Sequence, residues 1–238
     1  MKNNIFFKGI KDGIPICLGY FSVSMAFGIA AVQLGLPAWS AVLMSLTNVT
    51  SAGQFAGAGI LAGLGGYVEL AITTLIINIR YFLMSLSVSQ KSNMSLLHRF
   101  LVAFGITDEI FAVSVQQKGQ LSSVYMAGLI LTPVVGWTLG TLTGAVANSF
   151  MPPLVSSAMG VALYGMFIAI IMPPARESKS VLFTVALALV MSVAFTYLPV
   201  LKLLSSGWAI IIITVVVSAI AATLFPISGA VEEAGENE

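Results

Sequence analysis

Three ionisable residues stand in apolar surroundings. Arg80 lies within IINIRYFLMSL (76–86), and Asp108 and Glu109 lie within GITDEIFAV (105–113). A lone charge at mid-membrane costs from about 3 kcal/mol upward, so such groups face protein or water and acquire partners. The predicted pairing is Arg80 with Asp108 or Glu109, on two neighbouring antiparallel helices. One guanidinium opposite two carboxylates leaves a net negative cluster. Like-charge repulsion then favours keeping one proton on the acids, which makes that proton a candidate coupling ion. Arg80 shares its helix with Asn78 and Tyr81. At about 100° per residue, Asn78 and Arg80 point about 160° apart. A helix polar on two sides is surrounded by protein or lines a cavity.

The elements that must hold these residues follow from composition. The 238 residues are 58% hydrophobic and 8% charged, with a mean hydropathy of +1.01. Soluble domains carry about a quarter charged residues, so the sequence predicts an all-α polytopic membrane protein of one transmembrane domain over 1–238. With about 20 apolar residues per span, eight spans are predicted: 13–34, 39–63, 67–89, 99–116, 121–148, 155–172, 180–198 and 207–226. Were 99–116 a surface helix, the count would be seven. Residues 1–12 are expected to be a cytoplasmic segment, not a removable signal, and 228–238 an acidic mobile tail.

Span 39–63 contains the polar, Gly-rich SLTNVTSAGQFAGAG, with Asn48, Ser51, Gly53 and Gln54 at its centre. A break near 47–55 is expected, because unwound backbone survives in a membrane only where protein or a water-filled cavity satisfies it. Transporter sites are often built from such half-helices. GxxxG spacing at Gly53/Gly57 and Gly59/Gly63 also suits helix packing. In 121–148, Gly128, Thr132, Gly136, Gly140 and Gly144 recur every fourth residue, a narrow ridge suited to close helix approach. Pro133 is expected to kink that helix. Similar small-residue patterns in 20–35 and 125–144 suggest an internal repeat, inverted if an odd number of spans separates the units. With the N-terminus inside, eight spans place Lys2, Lys8, Lys11, Lys118, Arg176 and Lys179 inside and Lys91, Arg99 and Lys202 outside, a modest bias.

No P-loop, HExxH, GxSxG or Cys/His metal set occurs. Cys17 is single and His98 falls in a connector, so neither a cofactor nor an enzymatic centre is expected.

The motifs GIPICLGYFSVSMAFGIAA, SAGQFAG, NIRYFLMSLS and GITDEIFAV, in this order and spacing, resemble the AzlC family of branched-chain amino acid permeases and exporters. The likeness runs from about 10 to 200. One departure is Ser51 preceding AGQF, where the family often reads AGS-x-QF. The resemblance implies export of branched-chain amino acids from a bacterial cell by a proton-coupled inner-membrane carrier. It also implies a small membrane partner of the AzlD type. A zwitterionic aliphatic substrate needs a cation or helix N-terminus for its carboxylate, an acid for its amine and an apolar slot. The candidate binding residues are Asn48, Ser51, Gly53, Gln54, Asn78, Arg80 and Tyr81, with Asp108 and Glu109 for the proton. Phe55, Met84 and Phe111 are candidates for the slot. The alternatives are a passive channel for a small polar solute and a non-transporting subunit that stabilises a partner.

Overall fold

The computed structural model describes residues 2–152, 154, 155, 158, 165, 168, 171–198, 201 and 204–226. The predicted span 155–172, Lys202 and the acidic tail 228–238 lie outside the described residues, wholly or for the most part. The named regular elements of the described residues are all helices, and five of them are long and apolar enough to cross a membrane. The chain divides into two units, Met1–Tyr164 and Gly165–Glu238.

In the first unit, α1 (Lys2–Gln33) and α7 (Ser123–Ala147) form the spine. They pack side by side and run in the same direction. A Cβ on Gly128 would meet the Phe6 carbonyl, one on Gly136 would meet Cys17, one on Gly140 the Phe21 carbonyl, and one on Gly144 the Met25 carbonyl. Gly9 and Gly28 of α1 meet the carbonyls of Tyr125 and Thr141 in return. The predicted ridge is thus a backbone-to-backbone seam along the full length of both helices, of the kind that small residues permit. Pro15 and Pro133 are both accommodated inside helices.

Helix α4 (Tyr67–Gln90) runs the opposite way. Its C-terminal end meets the N-terminal ends of α1 and α7. Lys91 Nζ donates to the carbonyls of Val115 and Gln117 at 2.5 and 2.6 Å, and Leu121 N donates to the Lys91 carbonyl at 3.0 Å. Lys8 Nζ reaches Gln117 Oε1 at 2.6 Å, and Tyr125 Oη donates to Asp12 Oδ2 at 2.9 Å. The ammonium of Lys91 thus stands at the carbonyl end of the helix that finishes at Gln116, where a cation is favoured. This end of the unit, carrying Lys8, Lys11, Lys91, Arg99 and Lys118, is the basic face.

The direction of α4 fixes what lies between the long helices. Segment 39–63 does not cross. Helix α2 (Ala38–Thr47) descends from the face opposite the basic one, and α3 (Ser51–Ala62) returns to it. Ala41 and Ala58 lie in one buried cluster with Phe27 and Ala31, near the end of α1. Val49, between the two helices, packs instead on Tyr20 and Trp137, near the middle of theirs. The break falls at 48–50, inside the predicted 47–55.

Segment 99–116 likewise turns back, from the basic face. Helix α5 (Leu96–Phe104) enters, Gly105–Ile106–Thr107 turn, and α6 (Asp108–Gln116) leaves again beside Lys8 and Lys91. The expected continuous span is corrected here. Gly105 is needed at the turn because a Cβ would lie 2.2 Å from Ile130 Cγ2. Arms of 9–12 residues are about 14–18 Å long, half a bilayer core. Lys91 and Arg99 therefore share a face with Lys8 and Lys118, contrary to the orientation that eight crossings imply. Because α1 and α7 run parallel, the sequence echo between them does not mark an inverted pair.

The second unit contains α8 (Lys179–Tyr197) and α9 (Ser206–Leu224), packed antiparallel, with Phe183 edge-on to Phe225 at 5.6 Å. Ser178 caps α8, accepting from Val181 N at 3.4 Å.

Candidate functional site

The two hairpin tips meet halfway along the spine, at Tyr20. From Asn4, Tyr20 is about 24 Å along α1, and about 20 Å remain to Gln33.

The first tip is Asn48–Val49–Thr50. Thr50 Oγ1 donates to Asn48 Oδ1 at 2.7 Å, and Asn78 Nδ2 of α4 donates to Thr50 Oγ1 at 3.3 Å. Gly53 is pressed against the same pair, since a Cβ there would lie 2.6 Å from Thr50 Oγ1 and 2.9 Å from Asn78 Nδ2. Helix α3 begins at Ser51 with no side-chain cap and no acid in its first turn. Its positive dipole end therefore points into the middle of the unit uncompensated.

The second tip is chemically different. Thr107 caps α6, its hydroxyl accepting from Ile110 N at 3.4 Å, and Asp108 and Glu109 occupy the first turn. Acids belong there because the helix N-terminus carries partial positive charge. Asp108 Oδ2 accepts from Arg80 Nη2 at 2.8 Å, with the side chains 41% and 56% exposed. The predicted pair thus forms, through Asp108, but between α4 and α6, which run in the same direction because α5 and α6 turn back, and not between antiparallel neighbours. It is half-open, not sealed. Arg80 also lies over the Tyr81 ring, 5.1 Å from its centre, and approaches Tyr81 Oη at 3.4 Å. Glu109 Oε2 accepts from Tyr20 Oη at 2.5 Å, and that hydroxyl lies 2.7 Å from Thr107 Oγ1.

Between the tips runs a buried polar chain. The Tyr20 ring meets Trp137 edge-on at 5.1 Å. Trp137 Nε1 donates to Gln54 Oε1 at 2.7 Å, Gln54 Nε2 donates to Ser45 Oγ at 2.9 Å, and Ser45 Oγ lies 2.7 Å from Thr141 Oγ1. Ser45, Gln54 and Thr141 are fully buried. Gln54 therefore fastens both arms of the first hairpin to α7.

Of the residues singled out from sequence, Asn48, Gly53 and Asn78 gather at the first tip, with Ser51 beginning α3. Arg80, Tyr81, Asp108 and Glu109 gather at the second. Gln54 is held in the buried chain. Phe55 packs edge-on against Phe27 at 5.1 Å, and Met84 and Phe111 pack on the cluster formed by α5, α6 and α7. Tyr20, Ser45, Thr107, Trp137 and Thr141 were not anticipated. A Tyr or Trp in an apolar span carries a polar atom that must find a partner when buried, and that was the available signal.

The described residues contain no group of three or more His, Cys, Asp or Glu able to hold a metal ion. The AzlC protein family matches residues 15–151. The chain is 29% identical over 191 residues to the inner membrane protein YgaZ of Escherichia coli K12, covering 76% of this chain and 78% of that one. An uncharacterized membrane protein of Archaeoglobus fulgidus is 30% identical over 174 residues, covering 72% and 77%. The branched-chain amino acid transport protein AzlC of Bacillus subtilis is 23% identical over 141 residues, covering 58% and 56%. No solved structure matches.

Proposed function

The chain belongs to the AzlC family of membrane proteins, and from that premise we propose that it is a secondary transporter exporting branched-chain or similar small apolar amino acids in exchange for protons. The observation that carries the reading is the meeting of two half-membrane hairpins, from opposite faces, at Tyr20. Half-helix ends at mid-membrane are the usual means of binding a charged solute without permanent counter-charge. The uncapped start of α3, with Ser51, Gly53, Asn48 and Asn78, suits the substrate carboxylate. Arg80 and Tyr81, at the second tip, are the proposed polar partners on the other side of the solute. Asp108 takes the amine in competition with its bond to Arg80, and Glu109 holds the exchanging proton beside Tyr20. Gln54 sets the tip position through Trp137 and Ser45.

This reading treats α1–α3 and α4–α6 as two inverted copies, each a long helix followed by a hairpin. It places the basic face in the cytoplasm, because Lys8, Lys11, Lys91, Arg99 and Lys118 cluster there. The connectors 34–37 and 63–66 at the opposite face carry no Lys or Arg. A small AzlD-like membrane protein is the proposed partner.

Opposed half-helices also line passive pores, and that is the second reading. Leucine and valine movement in proteoliposomes separates the two. Accumulation against a gradient under an imposed pH difference, abolished by a protonophore and measured with and without the small partner, supports the carrier. Dissipative flux unaffected by the protonophore refutes it.

A further inference from the structure

A cavity of about 460 Å³ opens between α4 and α5, from the basic face to Ile106 in the turn of the second hairpin. Its walls are α4 from Phe82 to Ser89, the following Ser92, and α5 from Leu96 to Ala103 with Ile106 beyond it. The volume is in the range of small-molecule sites, and the lining is apolar apart from three serines and Arg99.

The slot is ordered along the membrane normal. It begins at the basic face, where Ser92 and Arg99 stand, and ends near mid-membrane at Ile106 and Phe82. From Phe82 to Ser92 it runs roughly 15 Å, the hydrocarbon depth of one leaflet. Arg99 stands at its polar mouth and is fixed there by two neutral acceptors. Its Nε donates to the Met94 carbonyl at 3.0 Å and its Nη2 to the Ser92 carbonyl at 3.5 Å. Among the described residues no carboxylate pairs with it, so its charge is left for an external anion. Leu96, Leu97, Phe100 and Leu101 are each more than 60% exposed along the same helix. The rim is therefore open sideways, toward acyl chains.

From this geometry we infer that the slot between α4 and α5 binds one anionic phospholipid of the basic-face leaflet. The phosphate bonds to the free edge of the Arg99 guanidinium and an acyl chain lies along Phe82, Leu86, Ala103 and Ile106. Basic pockets between transmembrane helices select anionic headgroups in this way. The chain tip ends at Ile106, next to Thr107 and Asp108, so the lipid buttresses the arm that positions the second tip.

The test uses the full-length protein purified from nanodiscs of phosphatidylcholine doped with phosphatidylglycerol, with retained lipid counted by native mass spectrometry. One retained phosphatidylglycerol per chain, in preference to phosphatidylcholine, is expected. Arg99→Gln should lower that retention by about fivefold, and Arg99→Lys should keep most of it. Ala103→Phe should expel both lipids by filling the slot. Arg99→Gln leaves the walls intact, so the outcome does not depend on how well Ala103→Phe folds. Equal retention of the two lipids, or unchanged retention in Arg99→Gln, overturns the proposal. So does a photo-crosslinker at Phe100 that captures a polypeptide in place of phosphatidylglycerol in native membranes.

Discussion

Neutralising the Arg80–Asp108 pair one residue at a time, and then both together, separates its structural role from its proposed role in transport. Arg80 lies about 20 Å along α4 from Tyr67 and about 15 Å from Gln90, near the bilayer centre. Asp108→Asn leaves that guanidinium with the Tyr81 ring and hydroxyl in contact and only the more distant carboxylate of Glu109 to offset its charge. A lone mid-membrane charge costs about 3 kcal/mol, and breaking a buried pair typically costs 3–5 kcal/mol. The two side chains are about half open (56% and 41%), so the cost falls below that of a pair fully buried in protein. A loss of about 2 kcal/mol is expected for Asp108→Asn and for Arg80→Gln. The double variant removes both charges and should return to within about 1 kcal/mol of the wild type. Denaturant unfolding in mixed micelles measures these differences, and proteoliposome flux is read on the same preparations. Stability should recover in the double variant while transport stays lost. Single variants as stable as the wild type would show that the pair does not hold the second hairpin. Recovered flux in the double variant would show that neither charge touches the solute.

Gln54→Leu should destabilise the unit by about 2–4 kcal/mol in the same unfolding assay, because Trp137 Nε1 and Ser45 Oγ would each lose a buried partner. Glu109→Gln should abolish pH-driven accumulation yet preserve solute counterflow, measured with labelled leucine. Equal loss of both would remove Glu109 from proton coupling. Single cysteines at Gly35 and Gly66, in a Cys17→Ala background, should react with an impermeant maleimide from the same face. Cysteines at Asn93 and Lys118 should both react from the other face. Labelling of Gly35 and Gly66 from opposite faces would mean that 39–63 crosses after all.

Composition was enough to predict an all-helical membrane chain, and a four-residue glycine period was enough to predict the α7 ridge. The polar run 47–54 marked the first tip correctly, because Asn, Thr and Gly in an apolar segment have few other uses. The second tip was missed. Gly105 is a single glycine between two apolar stretches, and Asp108 reads equally well as a mid-span charge or as the first turn of a new helix. Periodicity also cannot separate a broken crossing from a hairpin, since each arm keeps the same apolar pattern. That distinction rests on the direction of α4, which long-range contacts such as Lys91 with Gln117 establish. The misplacement of Lys91 and Arg99 was a usable warning, because the bias strengthens when both segments turn back. Arg80 and Asp108 could be matched in advance because two opposite charges in oil have few partners to choose from. Tyr20 and Trp137 were hidden among aromatic residues whose ordinary role is filler.

The glycine seam between α1 and α7 has a mechanical consequence. Main-chain atoms of one helix fill the notches of the other at Gly9, Gly28, Gly128, Gly136, Gly140 and Gly144. Sliding either helix by one residue would set side chains against carbonyls at all of these points together. The two helices are therefore keyed like a zip and must translate or tilt as a single rod. Any change of shape during a working cycle falls to the half-length hairpins, which touch that rod, and to α4, which packs on the hairpins.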